Sequence, residues 1–192
     1  GLAYMRQAQF VPDLTSVREL REEVTLRTVF ATVEKIYNLA NADYSIIGLA
    51  HLPYMEKMLA AAGQMGFRRV LLVQGIEGNE DAPTSRPCHA FLSVGGGEPE
   101  ELRIDAAEYG LQPASREEME GGDAAYNADI ARRIFEGEAG AYRDLVLLNA
   151  GLRIWLSERA PGVGEGIELA REAIDCGAAK AKLAAVQRPA AA

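Results

Sequence analysis

Cysteine is scarce in this sequence: Cys88 and Cys176 are the only two among 192 residues, far apart and without metal-ligand spacing. That excludes a disulfide framework or a cysteine-built zinc site and points to a reducing compartment. Histidine is equally sparse. His51 has no Asp, Ser or Cys at a telling distance, and His89 directly follows Cys88, which would place the two on opposite faces of a strand. No residue stands out as a nucleophile. Long apolar runs are missing too, so nothing is suited to span a bilayer, and no signal-peptide pattern opens the chain. Positive charge is in deficit, with 20 Lys plus Arg against 28 Asp plus Glu and a net charge of −8. A chain of that sign repels a polyanion over most of its surface, which disfavours nucleic acid as a partner unless a local basic patch exists.

What is present is an ordinary globular composition, 48% hydrophobic and 25% charged, at a length suited to one well-cored domain. The tail 188–192 is too small and bland to pack, so a single domain is expected over residues 1–187, followed by a flexible tail. Leu14 to Tyr37 reads mostly helical, with a break near Thr25. Tyr44–Ala50 has the character of a buried strand, and Pro53 opens a helix from Tyr54 to about Gly63. Arg68–Gly75 is a second strand, so residues 44–75 form a β-α-β unit whose strands run parallel. Cys88–Val94 and Leu102–Ile104 flank the turn Gly95-Gly96-Gly97 as an antiparallel pair. Beyond it the chain is helical: Asp123 caps Ala124–Phe135, Gly140 precedes Tyr142–Arg159 with Leu145, Leu148, Leu152 and Trp155 on one stripe, and Gly177 separates Gly166–Cys176 from Ala178–Val186. Asn149, within the long helix, is expected to be buried and bonded to neighbouring backbone. The expected class is α/β: a mainly parallel sheet flanked by helices, with a short antiparallel hairpin and a helical carboxyl-terminal region.

The most informative segment is the strand Val70-Leu71-Leu72-Val73, apolar on both faces, running into the acidic loop Gly75-Ile76-Glu77-Gly78-Asn79-Glu80-Asp81. In sheets covered on both faces, ligands bind beyond the carboxyl ends of the strands. Glu80 and Asp81 therefore sit where a divalent cation or a charged substrate would be held. The ordinary alternative is a solvated acidic turn.

Three segments, in order, resemble the anthranilate phosphoribosyltransferase family. Arg21-Glu22-Glu23-Val24-Thr25-Leu26-Arg27-Thr28-Val29-Phe30 is similar to the run that follows that family's phosphate site. Gly75 to Asp81 resembles its magnesium loop, His-Gly-x-x-Gly-x-Asp-Glu. Leu147-Leu148-Asn149-Ala150 and then Gly166 to Ala179 look like its carboxyl-terminal helices. The resemblance covers nearly the whole chain but only the carboxyl-terminal α/β part of the family. Several positions depart from it. The acids appear as Glu80-Asp81 rather than Asp-Glu, Gln74 replaces a His, Ala31 an Asn, and Glu34-Lys35 a Gly-Pro. The run from Glu77-Gly78 to Pro87-Cys88 is more similar to a divergent branch that binds nucleic acid and lacks the transferase activity.

The resemblance implies Mg²⁺ as cofactor, held by Glu80 and Asp81, and Arg21 as the residue that recognises the acceptor's carboxylate; the alternative for Arg21 is an ordinary charge on a helix surface. It implies transfer of ribose 5-phosphate from phosphoribosyl pyrophosphate to a small aromatic amine, anthranilate, in tryptophan biosynthesis, by a homodimer or larger assembly in the cytoplasm or a plastid stroma. A pyrophosphate needs a glycine-rich backbone cradle. The triplet Gly95–Gly97 is followed by Glu98, Glu100 and Glu101, which would repel phosphate, so it reads as a hairpin turn. The residues at hand are thus expected to be incompetent without an amino-terminal part that carries the cradle. A non-catalytic member of the same fold, binding nucleic acid or protein, is the other expectation, as is a subunit of a larger assembly recruited by an exposed sheet edge.

Overall fold

The computed structural model describes residues 2, 11, 12, 16, 18–24, 29–115 and 117–187. The expected break at Thr25, together with Arg27 and the tail 188–192, lies outside them. Two helices open the described chain, α1 (Arg18–Val24) and α2 (Val29–Ile36). Of their apolar side chains, Ile36 is buried, whereas Leu20 is 62% exposed and Val24 and Val33 are exposed as well.

Strand β1 (Tyr44–Gly48) leads through a 3-10 turn containing Pro53 into α3 (Met55–Gln64) and then β2 (Arg69–Val73). The helix begins at Met55, two residues past Pro53, because the proline sits in the tighter turn. As expected of a β-α-β unit, β1 and β2 are parallel neighbours, in register from Tyr44 opposite Arg69 to Gly48 opposite Val73. Strand β3 (Cys88–Val94) then pairs antiparallel with β2, and β4 (Glu100–Ile104) antiparallel with β3. Gly95 and Gly96 both take positive φ, +60° and +74°, the pair of values that turns a tight hairpin between twisted strands. The strand order is β1-β2-β3-β4. The α/β class stands, but the sheet is mixed, with one parallel pair and two antiparallel ones. Residues 74–87 contain only the 3-10 turn Ile76–Gly78 and no helix to carry the chain back across the sheet, so β3 returns antiparallel.

Helices cover both faces of this sheet. Leu71 and Val73 point toward α4 (Ala124–Phe135), α5 (Ala141–Leu156) and α6 (Val163–Asp175), among Leu147, Leu148, Leu152 and Ile167. Val70 and Leu72 point the other way, among Ile36, Leu49, Met58, Leu59 and Phe91. Burying each such leucine contributes about 2 kcal/mol, in keeping with the place of β2 as one of the two inner strands. Along α5 the buried stripe is Leu147, Leu148, Gly151, Leu152 and Leu156. It is rotated from the expected one, since Leu145 and Trp155 are only half buried. The Asp123 carboxylate accepts from Tyr126 N at 2.8 Å and so caps α4. Gly177, at φ +79°, turns the chain from α6 into α7 (Ala178–Gln187). At the amino-terminal end of the sheet Glu158 binds both Arg68 and Tyr44, while the Arg69 guanidinium lies 5.6 Å from the Trp155 ring. Among the described residues no helix is long and apolar enough to cross a membrane.

Cys88, the first residue of β3, is buried, and that burial pushes its thiol up to about 11, with Arg86 nearby opposing the shift. Cys176 is exposed. Only the thiolate is nucleophilic, so a disulfide reagent at neutral pH is expected to titrate one thiol rapidly in the folded protein and two after denaturation. Rapid reaction of both thiols in the native state would show that Cys88 is not protected.

Candidate functional site

The loop between β2 and β3 is folded tightly on itself. Ile76 N donates to Asp81 O at 2.9 Å and Asn79 N to Ile76 O at 2.9 Å, while the Asn79 side chain accepts from Asp81 N at 2.9 Å. Two glycines make this closure possible. A Cβ on Gly75 would lie 2.4 Å from Asn79 O and 2.5 Å from Asp81 O, and one on Gly48, at the end of β1, would lie 2.4 Å from the Asn79 carbonyl carbon. Any side chain there would strike backbone, which cannot swing aside. Glu77 takes φ +51° within the bend, a conformation that non-glycine residues adopt rarely.

Contacts from distant helices hold the loop in place. Asn149 of α5, 5% exposed, accepts from Ala82 N at 2.8 Å and donates to Ala82 O at 3.0 Å and Leu145 O at 3.0 Å. Its burial and backbone bonding agree with the sequence reading. One turn further along α5, Arg153 donates to Asn149 O at 2.9 Å and places Nη2 3.6 Å from Asp81 Oδ1. Lys35, at the end of α2, donates to Gly78 O at 3.1 Å. Neither Arg153 nor Lys35 was singled out as a site residue by sequence. Lys35 was visible only as a departure from Gly-Pro, and nothing local to Arg153 marks it.

Glu80 is exposed and Asp81 half exposed, its side chain at 41%. Both lie in the loop beyond the carboxyl end of β2, as the strand-end argument requires. A cavity of about 640 Å³ opens beside the same loop. Ile76, Glu77 and the segment Pro83 to Arg86 line one side, and Ala114, Glu117 and Met119 line another. Glu80 and Asp81 are not part of its lining. The helical position of Arg21 in α1 is described, but its side chain lies outside the described part. The two histidines remain apart from this loop's chemistry: His51 is exposed near Tyr54, and His89 Nδ1 lies 2.7 Å from Glu101 on the neighbouring strand. Among the described residues, no three His, Cys, Asp or Glu side chains converge on a common metal position.

Comparison with known proteins follows the same outline. The sequence pattern of the glycosyl transferase family, a/b domain, matches residues 1–180. The curated anthranilate phosphoribosyltransferase of Herpetosiphon aurantiacus is 34% identical over 184 residues, which cover 95% of this chain and 54% of that protein. That of Desulfitobacterium hafniense is 33% identical over 179 residues, 93% of this chain and 53% of that protein. Among solved structures, the anthranilate phosphoribosyltransferase of Thermus thermophilus superposes with a TM-score of 0.75 at 29% identity, over 90% of this chain and 50% of that one. The Saccharomyces cerevisiae enzyme in complex with PRPP and Mg gives 0.75 at 18% identity, over 88% of this chain and 49% of that one, a likeness of fold. This chain thus spans about half the length of the curated relatives it matches.

Proposed function

We propose a function from one premise: this chain belongs to the glycosyl transferase family and carries its a/b domain. It serves as the α/β portion of a magnesium-dependent phosphoribosyltransferase that moves ribose 5-phosphate from phosphoribosyl pyrophosphate to anthranilate. The observation that carries this reading is the tightly closed acidic loop at the carboxyl end of β2, in a chain 34% identical to an anthranilate phosphoribosyltransferase over 184 residues. The yeast protein solved with PRPP and Mg lends it support.

The donor set fits magnesium in the manner usual for nucleotide and phosphate enzymes. Mg²⁺ keeps several waters and is held by one or two carboxylates together with substrate phosphates, not by a dedicated cage of protein ligands. Two adjacent hard oxygen donors, Glu80 and Asp81, match that mode, and the absence of a third converging acid among the described residues is consistent with it. When bound there, the ion would neutralise charge building on the departing pyrophosphate. The chain's own residues do the positioning. Asn149 fixes Ala82, and with it the direction in which Asp81 leaves the loop. Arg21 is assigned to orient the acceptor carboxylate through its planar fork. No protein nucleophile is required, because the acceptor's own amine would attack the ribose carbon as its bond to pyrophosphate breaks, a displacement that depends on placement and electrostatics. The pyrophosphate cradle is not among these residues, so the activity belongs to a protein that joins them to a glycine-rich phosphate loop.

Turnover of the complete gene product with phosphoribosyl pyrophosphate and anthranilate, with and without Mg²⁺, tests this directly. Replacing Glu80→Gln and Asp81→Asn together is expected to lower kcat by about 100-fold or more, with an unchanged circular dichroism spectrum. A wild-type protein that turns over nothing would sink the transferase reading. It would favour the binding role suggested by the likeness of the run Glu77-Gly78 to Pro87-Cys88 to a non-catalytic branch.

A further inference from the structure

The cavity beside the β2–β3 loop has walls of opposite charge, and we propose that it binds a free amino acid with a bulky apolar side chain. Its volume of about 640 Å³ lies within the range of small-molecule sites, about 300–1,000 Å³. One wall is the run Thr84-Ser85-Arg86. Thr84 is 6% exposed, yet its hydroxyl meets no hydrogen-bonding partner among the described residues. A buried hydroxyl left in that state is costly unless a ligand bonds it. Arg86 spends Nη1 on Pro87 O at 3.3 Å and pairs with no carboxylate among the described residues. The other wall carries Glu117 and Glu120, whose carboxylates pair with no cation among those residues. That wall is preformed. Ser115 Oγ accepts from Glu118 N at 3.2 Å, Ser115 N donates to Glu118 Oε2 at 2.8 Å, and the Tyr142 hydroxyl donates to Glu120 O at 2.8 Å.

Simpler ligand classes each leave part of this lining unsatisfied. A phosphate would suit Arg86 and the two hydroxyls but meet like charge in Glu117 and Glu120. An amine would answer those acids and leave Arg86 without an anion. A neutral apolar molecule would bury every polar group unpaired. An amino acid satisfies all three kinds of surface. Its carboxylate accepts from Arg86 and Thr84, and its ammonium donates to Glu117 or Glu120. Its side chain lies against Ile76, Met119 and Leu145, which are half-buried in the cavity lining. Glu77 also lines the cavity but already has a partner of its own. Binding here involves neither Glu80 nor Asp81 and requires no transferase activity.

Calorimetric titration of the complete gene product with L-leucine, L-methionine, L-phenylalanine and L-tryptophan tests this. At least one is expected to bind with a Kd below about 1 mM. Its analogues lacking the carboxylate or the amino group should each bind about tenfold more weakly or worse. Arg86→Met should weaken the amino acid about tenfold or more, and Thr84→Val about threefold or more. Arg86 is exposed and valine matches threonine in shape, so an unchanged circular dichroism spectrum is expected of both. The double variant Glu80→Gln, Asp81→Asn should leave this binding unchanged, which separates its outcome from that of the transferase reading. Four outcomes would each overturn the proposal: no binding of any of the four at millimolar concentration, analogues that bind as well as the amino acid, an Arg86→Met protein of wild-type affinity, or loss of binding in the double variant.

Discussion

Gly166→Ala is expected to destabilise the protein by about 3 kcal/mol or more, the largest effect of any single methyl group considered. Helices α5 and α6 meet backbone to backbone at this point. A Cβ on Gly166 would lie 2.4 Å from Gly151 O and 3.2 Å from Gly151 Cα. The fit is reciprocal, since a Cβ on Gly151 would lie 2.5 Å from Ile167 Cγ1 and 2.8 Å from Ile167 N. No rotamer change relieves a clash with main chain, so the helices must separate. Leu147, Leu148, Leu152 and Ile167, all buried at this crossing, would lose close contact together. Gly164, two residues earlier in the same helix, provides the control. A Cβ there would meet Tyr109 at 3.7 Å, an ordinary contact. Gly164→Ala should therefore be neutral or stabilising by up to about 1 kcal/mol through helix propensity. Urea denaturation midpoints of both variants against wild type check the pair. A Gly166→Ala protein as stable as wild type would mean that the helices do not approach this closely.

Asn149→Ala should cost about 2–4 kcal/mol and, unlike the glycine variant, also loosen the acidic loop selectively. One side chain satisfies both the N–H and the C=O of Ala82, and both are buried with it. Removing the amide leaves that donor and that acceptor without partners in a site too enclosed to hydrate freely, and unmade bonds cost more than made ones contribute. Asn149→Asp discriminates the two contacts. It retains an acceptor for Ala82 N but sets a carboxylate against Ala82 O, so it should be at least as damaging despite its near-identical shape. Hydrogen exchange at the Ala82 amide, together with the denaturation midpoint, reads both consequences. Unchanged protection of that amide in Asn149→Ala would show that the loop is held by its internal bonds alone. In the proposed enzyme, the same variant should reduce turnover by more than its stability loss explains, because Asp81 adjoins the freed residue.

Much of the fold could be read one element at a time. The apolar run Val70–Val73 announced a strand buried on both faces, and both faces are covered. The glycine triplet announced a turn, and its first two glycines take the left-handed values a tight hairpin needs. Asp123 announced a helix start and caps it. The direction of the sheet was less legible. The pairing of β3 with β2 was not foreseen, since a strand's partner depends on which surfaces need filling and not on its own pattern. The stripe of α5 was misjudged by a fraction of a turn for the same reason: Leu145 and Leu147 are equally apolar, and only the neighbouring sheet and α6 decide which of them turns inward.

The same division runs through the candidate site. Local chemistry established that a buried strand ends in a glycine-closed acidic loop, because strand burial, turn formation and carboxylate charge are properties of consecutive residues. Folding alone decided what surrounds that loop. Asn149 reaches Ala82 across 67 positions and Lys35 reaches Gly78 across 43, while Arg153 comes to Asp81 from a helix on one face of the sheet. Each of these side chains has many possible partners of suitable chemistry along the chain. Which one it meets is set by the packing of helices on a sheet, where Gly151 and Gly166 permit an approach that no stretch of sequence announces.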